Sequence, residues 1–441
     1  IMSIFNSYSD TSPCRVMNFA MSEVNKGMSD TEGDIKVTDN FCGIVYEADL
    51  DANYNITTMK PLIVGGPYDE NAENVCAVDN ISNPDSLFVD PQGNLWIGED
   101  TIGHVNNMIW KWDGVTLTRF ATLPAGAEAT GVMITANNDM FFSVQHPSAM
   151  SQHPYNRAAV VAINGWKASD SFESVPVPEG DAQRTLTIAA GDPQILARVG
   201  ETIPFDPRGQ RWGQVNNMDG SFALTCNQPD GNTFLAINEQ GSEGYFYTNY
   251  ECRPGTVGKM YLRRAGERWQ ILEGENVDFT SVNGTWNNCG NSLTPWNTAL
   301  TSEEYEPFAT TTDWQKNVAE MNKYIGGQPN PYDYGWLVEL FPDPKGDKIE
   351  TQIVKQYAMG RFSHEMALVM PDQKTVYHGD DGTDTVLFKF VADMPGDMSA
   401  GTLYAAKVTQ NADESFDLTW IELGSSNNDE IAEAILAVTL E

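Results

Sequence analysis

The side chains that could do chemistry in these 441 residues are overwhelmingly acidic: 61 Asp and Glu stand against 26 Lys and Arg, a net charge of −35 with His neutral. Carboxylates at that density are natural holders of hard cations such as Ca2+, which takes roughly six to eight oxygen ligands. Bound cations are one direct way to relieve the self-repulsion of a compact acidic chain. A salt-adapted acidic surface is the plainer reading of the same excess. Six cysteines (Cys14, Cys42, Cys76, Cys226, Cys252 and Cys289) are scattered without a C-x-x-C pair, so zinc-ribbon and thioredoxin-type chemistry have no support. Their even number permits disulfides, and any one thiol could instead be a metal ligand. His364 and Glu365 are adjacent; in a strand they point to opposite faces and cannot serve one metal together, which leaves Glu365 as the candidate. Asp90 and Asp372 sit beside Pro and Gly, Asn or Gln and read as turn residues.

Positioning such residues falls to β-strands. Short runs of β-branched and aromatic residues recur along the chain, separated by Asp, Asn, Gly and Pro clusters, the pattern of antiparallel strands joined by tight turns. Residues 87–97 read Leu-Phe-Val, the turn Asp90-Pro91-Gln92-Gly93-Asn94, then Leu-Trp-Ile. Related hairpins are expected at 132–144 around Asn137-Asn138-Asp139, at 222–237 around Pro229-Asp230-Gly231-Asn232, and at 367–377 around Pro371-Asp372-Gln373-Lys374. Such repetition predicts an all-β fold, a β-propeller whose blades are small antiparallel sheets, with a sandwich as the alternative. Helical periodicity is confined to 302–324 and 428–437, as decoration rather than core. The loop-rich stretch 148–200 has a compositional break near Asp181 and reads as a crossing between blades, so that residues 1–441 form a single domain. Trp96, Trp286, Trp296 and Trp336 are assigned to the core.

With 41% hydrophobic and 20% charged residues the composition is that of a globular protein. The negative charge argues against a nucleic-acid partner. No stretch approaches the roughly 20 consecutive apolar residues that a membrane span requires. No basic-then-apolar leader stands at Ile1, so any export signal is expected to have been removed or to lie outside these residues.

The segment Thr285-Trp-Asn-Asn-Cys289-Gly-Asn-Ser-Leu-Thr-Pro-Trp296, followed by Leu300-Thr-Ser-Glu303-Glu304, resembles the PhoX family of alkaline phosphatases. So do Gly360-Arg-Phe-Ser-His364-Glu365 with Val376-Tyr-His-Gly379-Asp380-Asp381, and Phe388-Lys-Phe-Val with Gly401-Thr-Leu-Tyr. Asn83-Pro-Asp85, Leu95-Trp-Ile-Gly-Glu99-Asp100, Ala127-Glu128-Ala-Thr-Gly131 and Val144-Gln-His146-Pro147 are similar to further segments of that family. The blocks at 80–150 come last in the family pattern and first here. Either the order is circularly permuted, which a closed propeller tolerates because its first and last blades are neighbours, or the true start lies elsewhere. The family's R-P-E segment, which supplies a phosphate-contacting Arg and a metal-binding Glu, should fall just before Met17, but residues 1–16 contain only Arg15 and no Glu.

The resemblance implies a six-bladed β-propeller with loop and short-helix decorations and a secreted, extracellular or periplasmic phosphomonoesterase acting on small phosphate esters. It implies an iron–calcium cofactor (Fe3+ with Ca2+) in which Cys289 ligates the iron, with Glu365 and Asp380 completing the catalytic cluster. A soft thiolate among carboxylates favours iron, zinc or copper over calcium, and a lone one hints at iron. Glu128 is assigned to a calcium and Glu251, in Tyr247-Thr-Asn-Tyr-Glu251, to a looser match of a metal-binding segment. Asp85, Glu304 and Asp381 are further candidates, to hold a metal, orient a ligand or cap a blade. His364 and His146 are expected to pack or hydrogen-bond. Two other functions remain open: a catalytically weakened propeller of the same ancestry that serves as a calcium-stabilised structural or surface-assembly module, favoured by the missing R-P-E segment, and a lactonase-like propeller.

Overall fold

The computed structural model describes residues 7–9, 15–24, 28–29, 35–342 and 351–438. Turn chemistry sets most of the strand boundaries. Asp90 Oδ1 accepts from the backbone N–H of Gln92 and of Asn94, and Asp90 Oδ2 accepts from Trp96 Nε1 at 2.9 Å, so one side chain closes the turn and anchors a core ring. Asn138 and Gln373 take the left-handed conformation in the turns at 135–139 and 370–375. The expected hairpin at 222–237 does not form. Phe222–Thr225 pairs with Gln214–Asn216, and Pro229–Ala236 is a separate strand paired with Glu243–Tyr250. Asp230 and Gly231 lie inside that strand because it runs against another backbone: a Cβ on Gly231 would overlap Gly290 and Asn291.

Antiparallel sheets follow one another along the chain. Pro84–Val89, Leu95–Glu99, Met108–Trp112 and Leu117–Thr122 form one; Glu128–Ile134, Met140–Gln145, Ala159–Asn164 and Asp192–Arg198 the next. Then come Pro229–Ala236, Glu243–Tyr250, Thr256–Ala265 and Arg268–Asn276, followed by Asn288–Leu293, Ala299–Glu303, Leu337–Pro342 and Thr351–Lys355. The strands His364–Val369, Thr375–Asp380, Leu387–Met394, Asp397–Gln410 and Phe416–Asn427 share a nine-stranded sheet with Ser7–Ser9, Arg15–Met21, Ile44–Leu50 and Ile56–Val64, joined where Phe416 pairs with Met59. The first strand of each sheet packs on the first strand of the next, from Pro84–Val89 through Glu128–Ile134, Pro229–Ala236 and Asn288–Leu293 to His364–Val369. Aromatic clusters fill the space between neighbouring sheets, with Trp96, Phe120 and Trp166 in one and Phe141, Phe234 and Trp269 in the next.

The stretch 148–200 laces two sheets together, since Thr187–Ile188 pairs back onto Leu117–Thr122 before Asp192–Arg198 pairs with Ala159–Asn164. Helix α1 spans Thr312–Ile325, capped by Thr311 and ended by Gly326 in the left-handed conformation. It is shorter than the expected 302–324 because residues 302–303 end the strand Ala299–Glu303 and Pro307 precedes the cap. Helix α2, Asn428–Ala437, starts at the cap Asn427 as its periodicity suggested. Disulfides join Cys42 to Cys76 and Cys226 to Cys252; Cys289 is a free, buried thiol, and Cys14 lies outside the described residues.

Two second strands end on a fully buried carboxylate. Glu99 accepts from the N–H of Ser82 and Met108 and from Trp110 Nε1, and pairs with His104 Nδ1 at 2.8 Å. Glu303 accepts from the N–H of Trp286, Gly335 and Trp336, and pairs with Lys355 Nζ at 3.1 Å, with 0% and 1% of the two side chains exposed. Both carboxylates therefore tie loops to sheets. Removing one partner of so buried a pair strands the other charge, so Glu303→Ala is expected to lose about 3–5 kcal/mol of stability in urea unfolding. Lys355→Met combined with Glu303→Gln should recover part of that loss; a Glu303→Ala effect below about 1 kcal/mol would contradict this role.

Candidate metal centre

The same local device recurs where a first strand meets the end of its second. Pro84 pairs with Glu99, Pro229 with Tyr250, Asn288 with Glu303 and His364 with Asp380, and in all four the register shifts immediately afterwards. A bulge re-aims the side chains beside it. Those that follow the four paired residues are Asp85, Asp230, Cys289 and Glu365, and those just past the ends of the second strands are Asp100, Glu251, Glu304 and Asp381. In the remaining sheet of this series Glu128 pairs with Gln145, and His146 follows.

These residues converge. Cys289 Sγ lies 3.0 Å from Asp230 Oδ2 and 3.4 Å from Glu365 Oε1. Ligand atoms of Asp230, Glu251 and Cys289 lie within 4.8 Å of one another, as do those of Cys289, Glu304 and Glu365, so the thiol is common to both groups. Amides hold the carboxylates: Gln145 Nε2 donates to Glu251 Oε2 at 2.7 Å and Asn287 Nδ2 to Glu304 Oε2 at 2.8 Å. Asn249 Nδ2 donates to the carbonyls of Cys289 and Gly290, and Ser302 Oγ to those of Gly290 and Glu365, which fixes the backbone on either side of the thiol. His146 Nε2 sits 2.9 Å from Glu128 Oε2.

Burial first, and then the neighbouring carboxylates, push Asp230, Glu304, Glu365 and Glu128 well above the usual carboxylate range. Burial and the same carboxylates push the Cys289 thiol up as well. Asp85 and Asp381 are among the charges acting on Glu365, and Asp100 and Asp85 among those acting on Glu128, so all belong to one acidic concentration. Asp230 Oδ1 and Asp381 Oδ1 are buried without a hydrogen-bond partner. A crowd of carboxylates with orphaned oxygens and one thiol is a donor set that multivalent cations fit: hard ions on the oxygens, a softer one at the sulfur.

The structure thus brings together Cys289, Glu365, Glu251 and Glu304, with Asp85, Glu128 and Asp381 around them. Asp380 is not brought into either group. It pairs directly with His364, accepts from the Ser363 N–H at 3.2 Å, and is raised to about 7 by burial and by Glu306. It occupies the position that Glu99 and Glu303 hold in their sheets, and side-chain alternation turns it from the face that Asp381 takes. His364 likewise faces away from Glu365, with its Nε2 on the Gly360 carbonyl and its ring against Phe362; burial lowers its pKa to about 3.

Two acidic residues escaped the sequence reading. The turn-like composition of Pro229-Asp230-Gly231-Asn232 masks Asp230, and Asp100 stands beside Glu99 in the segment 95–100 with no mark of its own. Asn83-Pro84-Asp85 and Gln228-Pro229-Asp230 share a Pro-Asp step at the start of a first strand, and that repeat was the available signal.

The family model of the alkaline phosphatase PhoX matches residues 25–148 and 185–439. A search of curated proteins finds no match. Among solved structures, Pseudomonas fluorescens PhoX in complex with vanadate, a transition state analogue, is similar over 48% of this chain and 54% of that chain, at 22% identity and a TM-score of 0.34. The similarity therefore spans about half the length of that PhoX chain. A candidate 6-phosphogluconolactonase from Bacteroides fragilis is similar over 94% of this chain and 99% of that one, at 12% identity and a TM-score of 0.40. An endo-arabinase from Bacteroides thetaiotaomicron is similar over 80% of this chain and 93% of that one, at 10% identity and a TM-score of 0.33. With its family model matched along both the segment that carries Asp85 and Glu128 and the one that carries Cys289 and Glu365, the chain belongs to the PhoX alkaline phosphatase family.

Proposed function

We propose that this chain is an exported, metal-dependent phosphomonoesterase that hydrolyses small phosphate esters at the Cys289 centre, within a single six-bladed β-propeller. The observation that carries this reading is the convergence of Asp230, Glu251, Glu304 and Glu365 on one thiol in a PhoX family chain. The sequential packing of first strands supports the propeller, and the disulfides Cys42–Cys76 and Cys226–Cys252 suit an oxidising compartment.

Cys289 would ligate iron, and the surrounding carboxylates would hold calcium. A bound metal cluster supplies Lewis-acid stabilisation of phosphoryl oxygens and an activated oxygen nucleophile. The protein's own part is positioning. Gln145 and Asn287 orient Glu251 and Glu304, while Asn249 and Ser302 lock the backbone that aims Cys289 and Glu365. Tyr305, which follows Glu304, is exposed and feels the charges of Glu304 and Asp381.

One observation favours the second reading, a calcium-stabilised structural module. Arg15, the arginine nearest the expected R-P-E position, donates to the Ala52 carbonyl and stacks on Tyr54. That is the far end of the strand Arg15–Met21 from the end where Gly43 abuts Pro84, next to Asp85.

Phosphate release from an aryl phosphate separates the two. The enzyme reading expects turnover that is lost on stripping with chelator and regained with iron plus calcium; calcium binding without turnover would leave the structural module. Cys289→Ser and Asp230→Asn are each expected to lower turnover roughly 100-fold or more with loss of bound metal, as removal of a ligand should exceed the 10–100-fold typical of outer partners. Asp380→Asn should leave the metal content unchanged, and an equal metal loss in that variant would refute the assignment of faces. Because burial and crowding hold these carboxylates in their protonated form to higher pH, protons compete with cations, so calcium affinity should rise from pH 6 to pH 8 in titration calorimetry. A pH-independent affinity would contradict it.

A further inference from the structure

A phosphate ester that approaches this centre meets a field of carboxylates, so besides bound cations it needs a positive group of the protein nearby. We propose that Arg253 is that group: it contacts the phosphate of a bound ester, and Asp313 of α1 holds it in place until the phosphate arrives. This rests on the phosphatase reading above.

Arg253 stands two residues beyond Glu251, on a segment tied down by the Cys226–Cys252 disulfide. Its guanidinium lies 5.4 Å from the Trp286 ring centre and 5.7 Å from that of Tyr305. Both rings flank the centre in sequence, since Trp286 precedes Asn287, the donor to Glu304, and Tyr305 follows Glu304. Arg253 is also close enough for its charge to favour ionised Glu251. Cation–π contact with two rings steadies the guanidinium without using its N–H groups.

The donors are not fully spent. Nε is buried and has no hydrogen-bond partner, while Nη2 pairs with Asp313 Oδ2 at 2.9 Å. That carboxylate is 44% exposed against 20% for Arg253, so the pair sits at the solvent boundary, where an arriving oxyanion can replace it. A planar fork of N–H donors matches phosphate oxygens two at a time. By contrast, Arg361 is committed to the carbonyls of Tyr334, Pro331 and Pro307, and His146 to Glu128.

Orthophosphate binding to the calcium- and iron-loaded full chain tests this by calorimetry, with metal content and melting temperature measured alongside. Arg253→Met is expected to weaken orthophosphate about 10- to 100-fold at unchanged metal content. Arg253→Lys, which keeps the charge without the fork, should fall between the two and serves if the Met variant does not fold. Asp313→Asn, which removes the competing carboxylate, should bind orthophosphate as tightly as wild type or more tightly. Wild-type affinity in Arg253→Met, equal weakening in Arg253→Met and Asp313→Asn, or no orthophosphate binding to the wild type would each overturn the proposal. If Arg253→Met loses orthophosphate as expected but no form of the protein hydrolyses aryl phosphate, the anion contact stands and the phosphatase reading falls.

Discussion

Burying several carboxylates against one another around a thiol is unfavourable on two counts, since each loses water and each repels the next. A fold tolerates such a centre only where something offsets both costs: shared protons or multivalent cations. Much else in this molecule is subordinate to that constraint. Bulges open the starts of first strands so that Asp85, Asp230, Cys289 and Glu365 leave the regular alternation. Backbones pass closely enough that a Cβ on Gly290 would overlap the Glu365 carbonyl.

The same register also explains where the structural carboxylates went. Glu99 and Glu303 are the last paired residues of their strands, and each is saturated by backbone N–H groups and a basic partner. Asp100 and Glu304, one position later, belong to the acidic concentration. Adjacent acids thus split between holding the fold and facing the centre, and the choice is made by strand alternation rather than by residue type.

That split marks what the sequence could and could not reveal. Hairpins with explicit turn chemistry at Asp90 and Asp372 were legible, as was the β character, because turn residues and two-residue alternation are local signals. Cys289, Glu365, Glu251 and Glu304 were legible through motif context. Asp380 and Asp381 were not separable, since choosing between them needs the pairing of Asp380 with His364, which is a long-range fact. Asp230 was hidden for a related reason: Pro-Asp-Gly has the composition of a turn, and only the neighbouring strand at Gly290 and Asn291 makes it the start of an extended segment. The 302–324 periodicity overran α1 because a strand end and a helix face carry similar residues until Thr311 caps the helix.

Either shared protons or cations must offset the charge gathered around Cys289, and the donor set there suits cations. X-ray absorption at the iron edge, on protein purified without added metal and with its calcium content determined in parallel, separates the two. Iron with one sulfur ligand at bonding distance, and calcium in the same preparation, is the expected result. Protein free of both metals yet fully folded, or iron with oxygen and nitrogen ligands alone, would contradict it.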